Sequence, residues 1–365
     1  MSIDLNRMYV DEETRKAVIE TLESGRYVKG PRATALEEAF ARSVGNVRAV
    51  TCSSGSTALM LAYRALDLGP GDEVLVPSHT FVATASGFMH FGARPVFVDI
   101  DPVTYTMDPE KAREAVTERT KAIVPVHIYG HPAEMGPLVD LAKEKEIALI
   151  GDAAQSHGAR YKGKDVGLLG DMTCYSFFPS KIITVAGEGG MITCEDEELW
   201  EVLQALKDHG RYRGERDVSS MLGFNFRLPE MLAAIGLVQL RHMEEWIEKR
   251  RELSARYSKE LEGIGDLVLP EEMPWARHVH YLYVVRTSAK ERKALMDHMK
   301  KDGISTAVHY PVPVHKMPFI KKAPKLPVTS RIVEEIVSLP LHPLLTEEEQ
   351  GAVISSLKGF FKGKR

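Results

Sequence analysis

The stretch Ile147-Ala-Leu-Ile-Gly-Asp-Ala-Ala-Gln-Ser-His157 decides the fold. Four apolar residues run, without polar alternation, into a glycine and then an acid, Asp152. A short strand that is apolar at successive positions is covered on both faces, as in a parallel sheet whose crossovers are helices. Open sheets of this kind collect their ligands at the carboxyl ends of the strands. Asp152 therefore stands where chemistry is expected, although an aspartate that caps the following turn would look the same.

The rhythm on the N-terminal side repeats this unit. Strands read at Val50-Thr-Cys, Glu73-Val-Leu-Val-Pro, Arg94-Pro-Val-Phe-Val-Asp and Lys121-Ala-Ile-Val-Pro-Val, with helices over 57–66, 83–91, 108–117 and 133–145 between them. Alternating strands and helices predict an α/β unit around a mostly parallel central sheet with flanking helices. Beyond His157, Thr173-Cys-Tyr-Ser-Phe-Phe and Gly190-Met-Ile-Thr-Cys read as two more strands, then a helix over 197–208 and a polar loop over 210–220. A long helix is expected over 229–261, opened by a proline. The remainder reads as a smaller C-terminal α+β domain: strands over 278–286 and 304–310, helices over 289–301, 330–337 and 346–360. The domains expected are a large one over 1–242 and a small one over 243–365.

Bulk composition narrows the function. The chain of 365 residues is 44% hydrophobic and 27% charged with a net charge of −4, an ordinary globular balance with no basic excess for nucleic acid or anionic membrane. No basic-then-apolar start and no apolar run long enough to span a bilayer is present, so a cytoplasmic protein is expected. Three cysteines, Cys52, Cys174 and Cys194, form no C-x-x-C pair, and no metal site is expected.

Four short segments carry candidate chemistry. Cys52-Ser-Ser-Gly-Ser-Thr-Ala58 is a small-residue turn into a buried helix. Gly55 permits close approach, while Ser56, Thr57 and the helix N-terminus offer donors to a phosphate; an ordinary capping turn has the same composition. Phe81, in Pro77-Ser-His-Thr-Phe81, is placed to stack on a planar ring or to pack in the core. Asp152 could pair with a protonated ring nitrogen. Lys181, in Tyr175-Ser-Phe-Phe-Pro-Ser-Lys-Ile-Ile-Thr-Val-Ala-Gly-Glu-Gly-Gly190, has no acidic neighbour; a lysine left so either snorkels to water or works as an amine nucleophile. Together they supply a phosphate cradle, a ring face, a carboxylate and a free amine, which are the requirements of pyridoxal phosphate (PLP).

These segments, with Gly25-Arg-Tyr-Val-Lys-Gly-Pro31, Gly69-Pro-Gly-Asp-Glu-Val74, Pro125-Val-His-Ile-Tyr-Gly130, Gly187-Glu-Gly-Gly190, Gly223-Phe-Asn-Phe-Arg227 and His309-Tyr-Pro-Val-Pro-Val-His315, resemble the DegT/DnrJ/StrS family of nucleotide-sugar aminotransferases over nearly the whole chain. The resemblance implies the type I PLP-dependent transferase fold. It implies that Lys181 forms a Schiff base with the cofactor and that Asp152 pairs with the ring nitrogen. Phe81 would stack on the ring, Gln155 would lie by the ring hydroxyl, and Gly55, Ser56, Thr57 and Ser176 would surround the phosphate. Asn225 would reach the phosphate of a partner subunit, making a homodimer with shared active sites. L-glutamate would be the amino donor and a nucleotide-linked keto-hexose the acceptor, in a ping-pong exchange. Loops around Tyr27, Lys29, Arg211–Ser220, Tyr310 and His315 would face the sugar. Two residues depart from the family pattern: Ile182 where asparagine is frequent, and Ser56 where threonine is frequent. The rival readings are another type I PLP enzyme, such as a desulfurase with a mobile cysteine, and a non-catalytic PLP-binding regulator. A branch that carries histidine at the lysine position dehydrates sugars, and Lys181 argues against it.

Overall fold

The computed structural model describes residues 2–45, 47–212, 214 and 217–363. Seven strands build its central sheet in the order Arg48–Cys52, Gly190–Cys194, Met172–Ser176, Ala148–Asp152, Thr120–Ile123, Glu73–Pro77, Arg94–Val98. Gly190–Cys194 runs antiparallel to both neighbours; the other ladders are parallel. This is the mostly parallel sheet with flanking helices that the apolar strands predict.

Burial on both faces follows the period of two along each strand. In Glu73–Pro77, Val74 and Val76 enter the core beneath the helix Gly55–Ala65, where Leu59, Ala62 and Tyr63 meet them. Leu75 points the other way, into a core with Leu138 and Leu141 of the helix Met135–Lys145. The helices Glu12–Glu23 and Pro31–Val44, which the sequence reading leaves unassigned, precede the first strand. Asp11 caps the first by accepting from the Thr14 N–H at 2.7 Å, and Pro31 opens the second at a position where no N–H is needed.

The helix Glu230–Leu261 carries Ala233, Trp246 and Ile247 into the core that holds Phe40 and Tyr175. Its last turns place Leu253, Tyr257 and Leu261 in a separate core with Val285, Met299 and Leu357. Around that second core pack the helices Ala289–Lys301 and Glu347–Lys362 and a two-stranded antiparallel sheet, Tyr283–Arg286 with Ile336–Leu339.

Three expectations are corrected here. The strand expected over 278–286 is broken, because His280 adopts a left-handed backbone with φ +46°; only Tyr283–Arg286 pairs with Ile336–Leu339, while Ala276–Arg277 joins a small hairpin at Arg160–Tyr161. The segment 304–310 forms isolated bridges, Ile304 with Ile3 and Ala307 with Ser338, instead of a strand. The helix expected over 330–337 is Pro327–Glu335, after which Ile336–Leu339 turns into strand because a partner strand is available.

Candidate active site

The carboxyl ends of the strands bring the candidate residues together. Ladder register puts Cys52 and Ser176 on either side of Gly190, and Asp152 opposite Cys174, two residues before Ser176. The loop bearing Lys181 leaves at Ser176 and returns at Gly190, so it closes over the same edge.

At the first strand's end, Ser54 caps the helix Gly55–Ala65. Its Oγ accepts from the Thr57 N–H at 3.1 Å, and the Thr57 hydroxyl accepts from the Ser54 N–H at 2.9 Å. This reciprocal pair fixes the turn and engages the Thr57 hydroxyl within it. The Gly55 and Ser56 N–H groups, in the first helical turn, have no intrahelical acceptor, and the Ser56 side chain is exposed. Gly55 packs so near Ser176 that a Cβ there would stand 2.6 Å from the serine Cβ. Donors from two elements thus converge beside a helix N-terminus, the composition of an anion site.

Asp152 is buried at 4% exposure. Its Oδ2 accepts from the Thr84 hydroxyl at 2.7 Å and its Oδ1 from the Ala154 N–H at 3.1 Å. Thr84 is itself held by Thr80 at 2.7 Å. Burial pushes the Asp152 carboxyl above its usual range, against the pull of the Thr84 hydroxyl, the Ala154 N–H and the charge of Lys181. Among the described residues it has no ion-pair partner, so a cationic ring nitrogen would meet a carboxylate already oriented for it.

Lys181 is half-buried, forms no ion pair among the described residues, and lies with Nζ 4.8 Å from the centre of the Tyr281 ring. That contact holds an ammonium by its quadrupole while leaving its protons free of any carboxylate. Ile182, the departure from the family pattern, is buried at 2% in the core behind the loop. Phe81 is 51% exposed, with the Tyr310 ring 5.7 Å away and tilted by 46°. The open ring face and the lone carboxylate, lysine and donors fit the shape and chemistry of PLP.

Gln155 accepts the Tyr129 N–H at 2.7 Å and donates to the Tyr310 hydroxyl at 3.0 Å. Tyr129 in turn bonds the His309 carbonyl, and its oxygen lies 2.6 Å from His79 Nε2. Burial, and then the charge of Lys181, hold His309 down at about 4, so it is neutral beside the lysine; its Nδ1 lies 2.8 Å from the Ser338 hydroxyl. The reading from sequence misses Thr84, Tyr129, Tyr281 and His309 as members of this cluster. Tyr129 and His309 lie inside quoted motifs, which was the available signal; Tyr281 carries none.

The remaining candidates sit elsewhere. His315 is buried at 2%, its Nδ1 2.6 Å from the Ser78 hydroxyl, so it fastens the loop after Pro77 instead of facing solvent. Tyr27 and Asn225 are exposed, and Lys29 pairs with Asp208, which also binds Arg227 and Arg211. Burial alone would raise the Asp208 carboxyl; the bonds from Lys29, Arg227 and Arg211 outweigh it and hold it at about 2. Asn225 bridges Asp208 through its backbone. Of the loop 211–220, positions 213, 215 and 216 lie outside the described residues. The three cysteines are buried thiols, and burial pushes Cys52 and Cys194 up to about 12, which removes the nucleophile a desulfurase needs. Among the described residues no helix is long and apolar enough to cross a membrane, and no metal-binding cluster occurs.

Known proteins resemble this chain over nearly its whole length. A pleiotropic regulatory protein of Geobacillus stearothermophilus is 40% identical over 99% of this chain and 98% of its own. A UDP-N-acetyl-3-dehydro-alpha-D-glucosamine 3-aminotransferase of Acidithiobacillus ferrooxidans is 38% identical over 96% of this chain and 95% of its own. The crystal structure of NtdA from Bacillus subtilis, with the cofactor PMP bound, superposes with a TM-score of 0.91 at 32% identity, covering 96% of this chain and 82% of that one. The sequence profile of the DegT/DnrJ/EryC1/StrS aminotransferase family matches residues 8–358, and the chain belongs to that family.

Proposed function

We propose that this protein transfers an amino group from L-glutamate to a keto-hexose carried on a nucleotide, with pyridoxal 5'-phosphate as cofactor. The observation that carries the reading is the pair at the sheet edge: a buried Asp152 and, on the loop above it, Lys181, neither in an ion pair among the described residues. The sugar nucleotide named for the Acidithiobacillus relative supports the acceptor class.

When bound, PLP supplies an aldehyde that links to amines and an electron-poor ring that accepts a carbanion's electrons. The chain supplies the rest. Asp152 keeps a proton on the ring nitrogen, because an opposite charge at contact distance raises that nitrogen's pKa. Phe81 would cover one ring face, and Gln155, braced by Tyr129 and Tyr310, would lie by the ring hydroxyl. Ser56, Ser176 and the N–H groups of Gly55 and Ser56 hold the phosphate, with Thr57 fixing their turn. The Lys181 amine takes the proton from the donor's α-carbon and later returns one, acting as base and then acid in each half of a ping-pong exchange.

We further propose a homodimer in which Asn225 reaches the partner's phosphate and Tyr27 and Lys29 its sugar. The exposed Val28, Val218 and Leu222 on the same loops support an interface there. The large unit over 1–242 would hold the cofactor and the unit over 243–365 would close on it through the long helix. Three unpaired thiols suit a reducing cytoplasm.

The test is a visible spectrum of the protein loaded with PLP. The wild type is expected to show a band that L-glutamate bleaches with release of 2-oxoglutarate, and Lys181→Ala to lack the band. A band of equal strength in Lys181→Ala would overturn the reading.

A further inference from the structure

Tyr129 sits in the turn Ile128–Gly130 with a left-handed backbone, φ +60°. A tyrosine enters that region rarely and stays only where its surroundings hold it there. Here each of its polar groups is held. The N–H donates to Gln155 Oε1 at 2.7 Å, the carbonyl accepts from the Leu282 N–H at 3.3 Å, and the hydroxyl donates to the His309 carbonyl. Every one of these bonds ends on a segment that carries a residue of the candidate site: Gln155 itself, Tyr281 beside Leu282, and Tyr310 beside His309. The side chain is buried and meets the Tyr105 ring edge-on, with centroids 5.9 Å apart.

One proton sets the direction of this network. A phenol carries a single O–H, and a backbone carbonyl can only accept. The Tyr129 proton is therefore committed to His309, and the Tyr129 oxygen, 2.6 Å from His79 Nε2, must accept from it. That fixes the His79 tautomer: Nε2 carries the proton and Nδ1 is bare. Nδ1 has no partner among the described residues, and burial holds the ring at about 3, so it is neutral. On the other side, Gln155 spends its Oε1 on the Tyr129 N–H and its Nε2 on the Tyr310 hydroxyl at 3.0 Å, so its amide has one orientation. His309 is tied a second time, its Nδ1 lying 2.8 Å from the Ser338 hydroxyl.

We propose that Tyr129 is a positioning residue for the transfer reaction and that His79 is the donor that aims its hydroxyl. Together they hold Gln155, Tyr310 and the segment of Tyr281 in one arrangement around the site. The inference rests on the aminotransferase reading and goes beyond it, because both residues act through the side chains they hold in place. Loss of the Tyr129 hydroxyl releases the 309–310 segment on one side and leaves the His79 N–H buried without an acceptor. Loss of the His79 donor leaves the Tyr129 hydroxyl free to turn away from His309.

Tyr129→Phe removes the oxygen alone and keeps the ring, the N–H and the carbonyl. In cofactor-free protein, hydrogen exchange over 305–312 is expected to quicken at least tenfold while 120–126 keeps its wild-type rate. In PLP-loaded protein, the ratio of cofactor ellipticity to cofactor absorbance is expected to change, and turnover per bound PLP to fall at least tenfold. A residue that only stabilises the fold would lower the melting temperature and the bound fraction but leave that ratio and that turnover unchanged. His79→Gln, whose amide can still donate, should keep part of the ratio and turnover that His79→Leu loses. Wild-type exchange over 305–312, or equal acceleration along the whole chain, overturns the tie. An unchanged ratio and turnover in Tyr129→Phe overturn the positioning role, and equal losses in His79→Gln and His79→Leu overturn the part given to His79. A wild type without a cofactor band removes the aminotransferase reading instead, and the exchange result still decides the tie.

Discussion

Gly190 and Ser54 touch backbone to backbone across the sheet edge: a Cβ on Gly190 would overlap the Ser54 carbonyl and stand 2.9 Å from the Gly55 nitrogen. The strand that ends the lysine loop thus presses on the turn that presents the Gly55 and Ser56 N–H groups. Gly190→Ala must push that turn outward. Overpacking of this kind costs about 1–3 kcal/mol, and here the strain falls on the proposed phosphate cradle. PLP affinity, read by absorbance titration, is expected to fall at least tenfold. Wild-type affinity in Gly190→Ala would show that the cradle does not depend on this contact.

Asp152 should trade stability for function. Its carboxyl is pushed up by burial, so the folded state disfavours the charge that the unfolded chain carries freely above pH 4. That penalty is absent at low pH and present once pH exceeds the folded pKa. In cofactor-free protein at pH 7, Asp152→Asn is therefore expected to melt at a higher temperature than the wild type. Its turnover should drop by about 10²–10⁴-fold, the usual weight of a group that controls proton position. A lower melting temperature would mean that the Thr84 and Ala154 bonds outweigh desolvation.

How much of this was legible in the sequence depends on how local each cause is. The strand Ala148–Asp152 could be read because both its faces are buried, so every residue reports the same environment. The segment 336–339 could not. Its Ile-Val-Ser-Leu continues the apolar spacing of the preceding helix, and only the distant strand Tyr283–Arg286 makes it β. The site divides the same way. Lys181 stands out by lacking an acidic neighbour in the sequence, and Asp152 by ending an apolar strand. The Tyr129–His309 bond spans 180 residues: each residue lies in a quoted motif, but neither motif announces the pairing. His315 reads from the sequence as a residue of a sugar-facing loop, yet its partner Ser78 is 237 residues away.

That buried bond yields its own test. His315→Ala removes both the ring that meets the Ser78 hydroxyl and the volume beside Phe97. A lost buried hydrogen bond with its cavity costs about 2–4 kcal/mol. Urea unfolding should show that loss at unchanged m-value. A variant as stable as the wild type, with only sugar turnover impaired, would return His315 to the role of a substrate residue.

Acid should unfold this protein early. His131, His278 and His280 pack ring against ring, with centroids 3.8–5.2 Å apart, and face Arg250 and Arg251 from the long helix and Glu272 from the following loop. Burial holds all three below the ordinary value, His280 at about 3. Burial likewise holds His79, His127 and His157 at about 3. These bases are neutral in the fold, so their contribution is complete above about pH 6.5 and is lost as pH falls toward 3, while the unfolded chain takes up protons. Each adds a slope of up to about 1.4 kcal/mol per pH unit. The acid unfolding midpoint, followed by circular dichroism, is expected above pH 4; a fold intact at pH 3 would contradict the neutral cluster.

The pairing of Ser176 with Gly190 has a metric consequence. The loop that carries Lys181 begins at a residue touching the Gly55 turn and ends at one touching Ser54, so both of its ends are clamped to the cradle. The span from anion site to amine is then set by chain length alone, like the fixed jaw of a caliper. Lengthening or shortening 177–189 by one residue would regauge the site for a ligand of different reach while leaving each of its chemical groups in place.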